Sequence, residues 1–137
     1  MSLFNAENGQ LILNVKGDES VILEVCLNKS SKMKDFILGF IVRNRLGMDL
    51  FSQRVKLGDF EANLAVVKGS DISVKFRFKM PRLAKGVYSI YVAVAEDLYN
   101  EVVMHHAWSD NCYVFKSNNT ETFSGLFKVP MQKITLN

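Results

Sequence analysis

Apolar and polar positions alternate with a period of two through most of the chain, which predicts strands rather than helices. Between Phe36 and Arg54 the pattern describes a hairpin. Phe36, Leu38, Phe40 and Val42 fall on one face, and Ile37, Gly39, Ile41 and Arg43 on the other. Asn44-Arg45-Leu46-Gly47 supplies the turn, with Gly47 free to take positive φ, and Met48 to Phe51 starts the return strand. From Ile72 to Met80 the alternation is strict. Ile72, Val74, Phe76, Phe78 and Met80 point inward, while Ser73, Lys75, Arg77 and Lys79 form a cationic outer row. Pro81 ends this strand because it has no amide proton to give a ladder.

The remaining segments read the same way. Gln10 to Val15 is a first short strand, with Leu11, Leu13 and Val15 opposed to Gln10, Ile12 and Asn14. Ser20 to Asn28 sets Val21, Leu23, Val25 and Leu27 against Ile22, Glu24, Cys26 and Asn28. The period weakens from Val55 to Ser70. Val87 to Glu96 is apolar on both faces, as a central strand is, with Tyr88, Ile90, Val92 and Val94 in one row. Val102 to Trp108 and Asn111 to Lys116 follow, split by Ser109-Asp110, and Gly125 to Val129 is expected as a last core strand. About nine short strands with frequent turns predict an all-β protein, an antiparallel β-sandwich of immunoglobulin-like or jelly-roll type.

Composition narrows the function classes. The 137 residues suit one domain, with 48% hydrophobic residues to fill a core. Seventeen basic against 14 acidic residues give a net charge of +3, too mild to argue for nucleic acid. Cys26 and Cys112 match no metal motif and are expected as small buried or half-buried residues rather than a disulfide. No secretory leader and no apolar run of roughly 20 residues is read. Met1-Ser2-Leu3 reads as an appended scar before a domain cut from a longer protein.

Catalytic chemistry finds little support. There is no nucleotide-binding glycine loop. His105 and His106 are neighbours, so on a strand they face opposite ways and do not share a metal. No nucleophile elbow accompanies Cys112, His105 and Asp110. No cofactor and no enzymatic activity are expected. A binding surface remains. Sugars are held by flat amphipathic rings and by hydrogen-bond donors. The candidates are Trp108, Tyr91, Tyr99 and His106 as rings, with Arg43, Lys75 and Arg77 as donors. Each has a plainer alternative: Trp108 as a core residue, and Lys75-Arg77-Lys79 as a solvated sheet face.

Three stretches resemble one family. They are Gly39 to Asn44 through Gly47 to Phe51; Val74 to Phe78 through Leu83 to Ile90; and His105 to Trp108 through Tyr113 to Lys116, followed by Gly125 to Pro130. In register they are similar to the C-terminal carbohydrate-binding domain of Wzt-type proteins, the ATPase subunits of ABC transporters that export O-antigen and related polysaccharides. Ser52-Gln53 stands where many members carry asparagine-threonine. The resemblance implies an immunoglobulin-like sandwich spanning residues 1–137 and non-catalytic recognition of an O-antigen-like glycan. It also implies the transporter's ATPase domain and transmembrane subunit as partners, and a position at the cytoplasmic face of the plasma membrane. It further implies a homodimer, in which residues 131–137 serve as an exchanged C-terminal strand.

Overall fold

A computed structural model of the chain describes residues 1–28, 36–56, 71–98, 102–108, 112–122, 124–129 and 131–136, with backbone alone at 27–28, 36, 71–72, 96–98 and 102–108. Eleven strands and no helix occur among the described residues. They are β1 (Ser2–Asn5), β2 (Asn14–Val15), β3 (Ser20–Asn28), β4 (Phe36–Asn44), β5 (Asp49–Lys56), β6 (Asp71–Lys79), β7 (Arg82–Leu83), β8 (Gly86–Leu98), β9 (Val102–Trp108), β10 (Tyr113–Ser117) and β11 (Phe127–Lys128). The small sheet has order β1-β3-β6. The large one has order β2-β10-β8-β4-β5, with β9 also on β8, and β11 pairs with β7. Every pairing is antiparallel except β2 with β10.

The two sheets close on the inward rows that the alternation predicts. Val21, Leu23 and Val25 of β3 join Leu38, Phe40 and Val42 of β4 and Tyr88, Ile90 and Val92 of β8 in one buried cluster. Aromatic rings cross between the layers. Phe40 lies 5.1 Å from Phe76 and 5.5 Å from Phe78, and Phe51 lies 6.3 Å from Phe78. These separations suit edge-on and offset ring contacts, which add to the burial of apolar area.

The central β4–β5 hairpin is set by its turn. The Asn44 side-chain oxygen accepts from the amides of Leu46 and Met48 at 2.9 and 3.0 Å, and Gly47 takes φ 79°. Val42 then pairs with Phe51 and Arg43 with Asp49, so Leu50 is one extra residue on β5. Strand β8 is long enough to carry two partners on the same edge. Tyr113 pairs with Ile90, and Trp108 with Ala93.

Four sequence expectations are corrected. Ile12 is buried at 7% exposure, whereas Leu11 and Leu13 are exposed at 53% and 59%. Residues 10–14 are not one strand. Leu11 forms a single bridge to Phe4, the Ile12 amide donates to the Leu3 carbonyl, and the Tyr113 hydroxyl donates to the Ile12 carbonyl. Residues 125–129 give no core strand: only Phe127 and Lys128 pair, with the outlying β7, and Leu126, Phe127 and Val129 are exposed. Cys26 and Cys112 are free and exposed, Cys26 because it lies on the outer row of β3. Ser2 to Asn5 is a strand that the alternation did not reveal, and its Leu3, within the stretch set aside as a scar, is fully buried opposite Leu23.

Candidate functional site

The outer face of the large sheet is built from rows that cross its strands. One row runs Arg54–Gly39–Ala93–Trp108 through β5, β4, β8 and β9, and the next runs Ser52–Ile41–Tyr91. Directly paired residues share a face. Gly39 and Ala93 therefore leave a low line between taller neighbours. A depression of about 500 Å³ lies there, floored by Gly39 and Ala93 and walled by Ile41, Ser52, Gln53 and Arg54. That volume is in the range of small-ligand sites. A Cβ added at Gly39 would stand 3.3 Å from the Arg54 Cβ and 3.3 Å from the Gln53 carbonyl oxygen. The glycine therefore permits the close approach of β5 and keeps the trough open.

Beside the trough stand two of the expected site residues, joined to one another. The Arg43 guanidinium sits over the Tyr91 ring, 4.9 Å from its centroid, and its Nε donates to Asp49 at 2.6 Å. Tyr91 is half-buried. Trp108 and His106 belong to β9 by backbone. Trp108 ends the trough's row, and His106 is the unpaired residue where the β8–β9 register slips between Val94 and Ala95. Bulges of this kind concentrate near functional sites.

Lys75 and Arg77 lie elsewhere. They are exposed on β6, on the outer face of the small sheet, opposite Glu24 and Ile22. Ser73 Oγ donates to Glu24 at 3.0 Å on that face. The sandwich thus separates these two cations from Arg43 and Tyr91 by its full thickness. Tyr99 lies outside the described residues. Gly39, Arg54 and Ala93 were not singled out as site residues in the sequence, and Ser52-Gln53 only as a departure from the family's asparagine-threonine pair. The available signal was a glycine inside an otherwise apolar strand.

Other features bear on what the surface can do. Among the described residues no group of three or more His, Cys, Asp or Glu could hold a metal. No described helix is long and apolar enough to cross a membrane. At the sandwich's end, Arg82 pairs with Asp18 at 2.7 Å and with Glu121 at 3.6 Å, and Lys128 also pairs with Glu121. Glu121 is held below the usual carboxylate range, mainly by its hydrogen bond from Lys128. Burial pushes the Tyr88 and Tyr113 hydroxyls up.

Comparison with known proteins agrees on one family. The family model described as the Wzt C-terminal domain matches residues 1–129. A solved structure, "Crystal structure of the C-terminal domain of wzt", superposes with TM-score 0.65 at 14% identity, covering 98% of this chain and 80% of that one. No curated protein matches by sequence.

Proposed function

Because this chain belongs to the Wzt C-terminal domain family, which is associated with O-antigen export by ABC transporters, we propose that it binds an O-antigen-like polysaccharide without altering it. The trough over Gly39 and Ala93 carries this reading. Its described lining comes from three adjacent strands, β5, β4 and β8, a span of roughly 10 Å at the usual strand spacing, enough to seat a short stretch of oligosaccharide. Main-chain groups, the Gln53 carbonyl among them, and the Ser52 hydroxyl supply hydrogen-bond partners, and Ile41 gives an apolar wall for sugar C–H groups.

On this reading the domain serves an ABC transporter through its ATPase domain and transmembrane subunit, at the cytoplasmic face of the plasma membrane. It acts as a homodimer formed by exchange of residues 131–137. Exposed Met131, Ile134 and Leu136 support that exchange, since apolar side chains in a tail are better placed against a partner than in water. A linked pair of sites would raise the avidity of weak single-site contacts.

The test is an array of bacterial polysaccharides probed with the purified protein. Selective retention of one glycan class is expected, and a Gly39→Val variant should lose it. Uniform lack of retention across the array would sink the carbohydrate reading. Binding to a transporter subunit alone would then favour a protein-contact sandwich.

A further inference from the structure

We propose that the glycan bound in the trough carries an anionic substituent, a carboxylate or a phosphate, and that Arg54 is its counter-charge. This rests on the trough being the glycan site.

Among the described residues the lining contains one charge. Arg54 stands at the β5 end of the row, and none of the described residues that border the depression is acidic. Its side chain rises from the wall, since its Cβ lies in close contact range of the Gly39 position. Among the described residues no carboxylate pairs with Arg54, which is exposed. The other arginine of this face behaves differently. Arg43 is committed to Asp49 and to the Tyr91 ring. Among the described residues the face therefore pairs one guanidinium internally and gives the other, on the groove's wall, no carboxylate, so an anion from outside can satisfy it. A guanidinium presents a planar fork of donors that matches a carboxylate or phosphate in two parallel bonds. An uncharged sugar would offer hydroxyl acceptors there, whose bonds to the fork are weaker than those of an anion. It would also leave a cation partly desolvated by the bound chain, which is unfavourable.

The register explains why arginine occupies this spot. The extra residue Leu50 shifts β5 by one position, which sets Arg54 instead of Gln53 opposite Gly39. Without that bulge the cation would face the inner side of the sheet.

Calorimetric titration of the purified full chain tests this with three probes: an uncharged dextran, a uronic-acid polymer and a phosphate-substituted mannan. The wild-type protein should bind at least one charged polymer about tenfold or more tighter than dextran. Added salt should weaken that binding. Arg54→Gln should abolish the preference, and Arg54→Lys should restore part of it. Which charged polymer wins distinguishes carboxylate from phosphate. Tight dextran binding that Arg54→Gln leaves unchanged would overturn the anionic assignment while keeping the carbohydrate site. Failure to bind any of the three overturns the anionic assignment, and only the wider polysaccharide array then decides whether the carbohydrate reading survives. A thermal melt of Arg54→Gln close to wild type excludes misfolding as the cause.

Discussion

Arg43 and Tyr91 sit on neighbouring strands with the guanidinium over the ring, 4.9 Å from its centroid. The same guanidinium holds Asp49 across the hairpin at 2.6 Å. Two weak contacts thus fix one flat surface beside the trough, each worth about 0.5 to 1 kcal/mol where solvent reaches it. Arg43→Ala should cost about 1 kcal/mol in urea denaturation and should reduce glycan retention more than it reduces stability. Tyr91→Phe keeps the ring and should leave both nearly intact. Equal losses in the two variants would show that the hydroxyl, and not the stacked pair, is what matters.

Gly39 makes the trough. A valine there would fill the low line with two methyl groups and press on the Arg54 Cβ and the Gln53 carbonyl, both 3.3 Å from the first carbon. Among the described strands β5 is an edge of the large sheet, so it can give by a few tenths of an ångström. Gly39→Val is therefore expected to lower the melting temperature by a few degrees. It should weaken glycan binding by roughly tenfold or more, which takes only about 1.4 kcal/mol of lost contact. Unchanged binding on the array would move the site off this face.

The interlayer rings set the stability. Phe40 is buried and meets both Phe76 and Phe78. Truncating it opens a cavity that the stiff sheets cannot close, so Phe40→Ala should cost about 3 to 5 kcal/mol. Arg77→Ala, one residue along from Phe76 but on the exposed row, should stay within about 0.5 kcal/mol of wild type. The contrast, read by urea denaturation, checks the facing of β6. A large loss at Arg77 would invert it.

The long strands were legible because each buries one face, so alternation over nine residues in β3, β4 and β6 leaves one consistent assignment. Two-residue strands such as β2, β7 and β11 carry no period to read. Ile12 was placed in such a strand for want of a period: its side chain joins the core cluster, and its backbone is held by the Leu3 carbonyl and the Tyr113 hydroxyl instead of a ladder. The trough was hidden differently. It lies across strands, and pattern along one strand does not report what stands beside it. Counting outward from the Asn44–Gly47 turn would have placed Gln53 opposite Gly39, and the Leu50 bulge changes the answer to Arg54. Lys75 and Arg77 were grouped with Arg43 and Tyr91 because charge is visible in sequence and sheet membership is not.

Two pH limits follow from groups at the sandwich's ends. Burial raises Tyr88 and Tyr113 above the ordinary value of 10.0 in the folded protein. The unfolded chain therefore loses these protons first on the way up. Their contribution is whole below about pH 10 and is lost as pH climbs through the folded values. Glu121 shifts the other way, below 4.5, chiefly through Lys128. Its contribution is present above that value and is lost as pH falls through the folded one. The protection of the Phe127 and Lys128 amides, their exchange rates taken relative to the intrinsic rate at each pH, should fall on acidification ahead of that of the core amides of β8. Tyr113→Phe should blunt the alkaline loss seen in thermal melts. A protection factor at β11 that stays constant between pH 3 and 5 would show that the Glu121 pairs do not hold it.

The tail supplies the last prediction. Met131, Ile134 and Leu136 are exposed, Leu136 at 97%. Exposed apolar residues scattered singly are ordinary, but three within six residues of tail form a surface that water disfavours. If a second copy covers them, removing residues 131–137 should convert a dimer to a monomer in light scattering while the thermal midpoint of the sandwich changes little, because none of the buried cluster lies in the tail. Replacing Ile134 and Leu136 with serine should do the same without shortening the chain. Each half would keep its trough, so affinity for a short oligosaccharide should persist, while retention on a long, repeating polysaccharide should fall as paired sites are lost. A full-length chain that is monomeric at tens of micromolar would remove the exchanged strand from the account and leave the single-site reading standing.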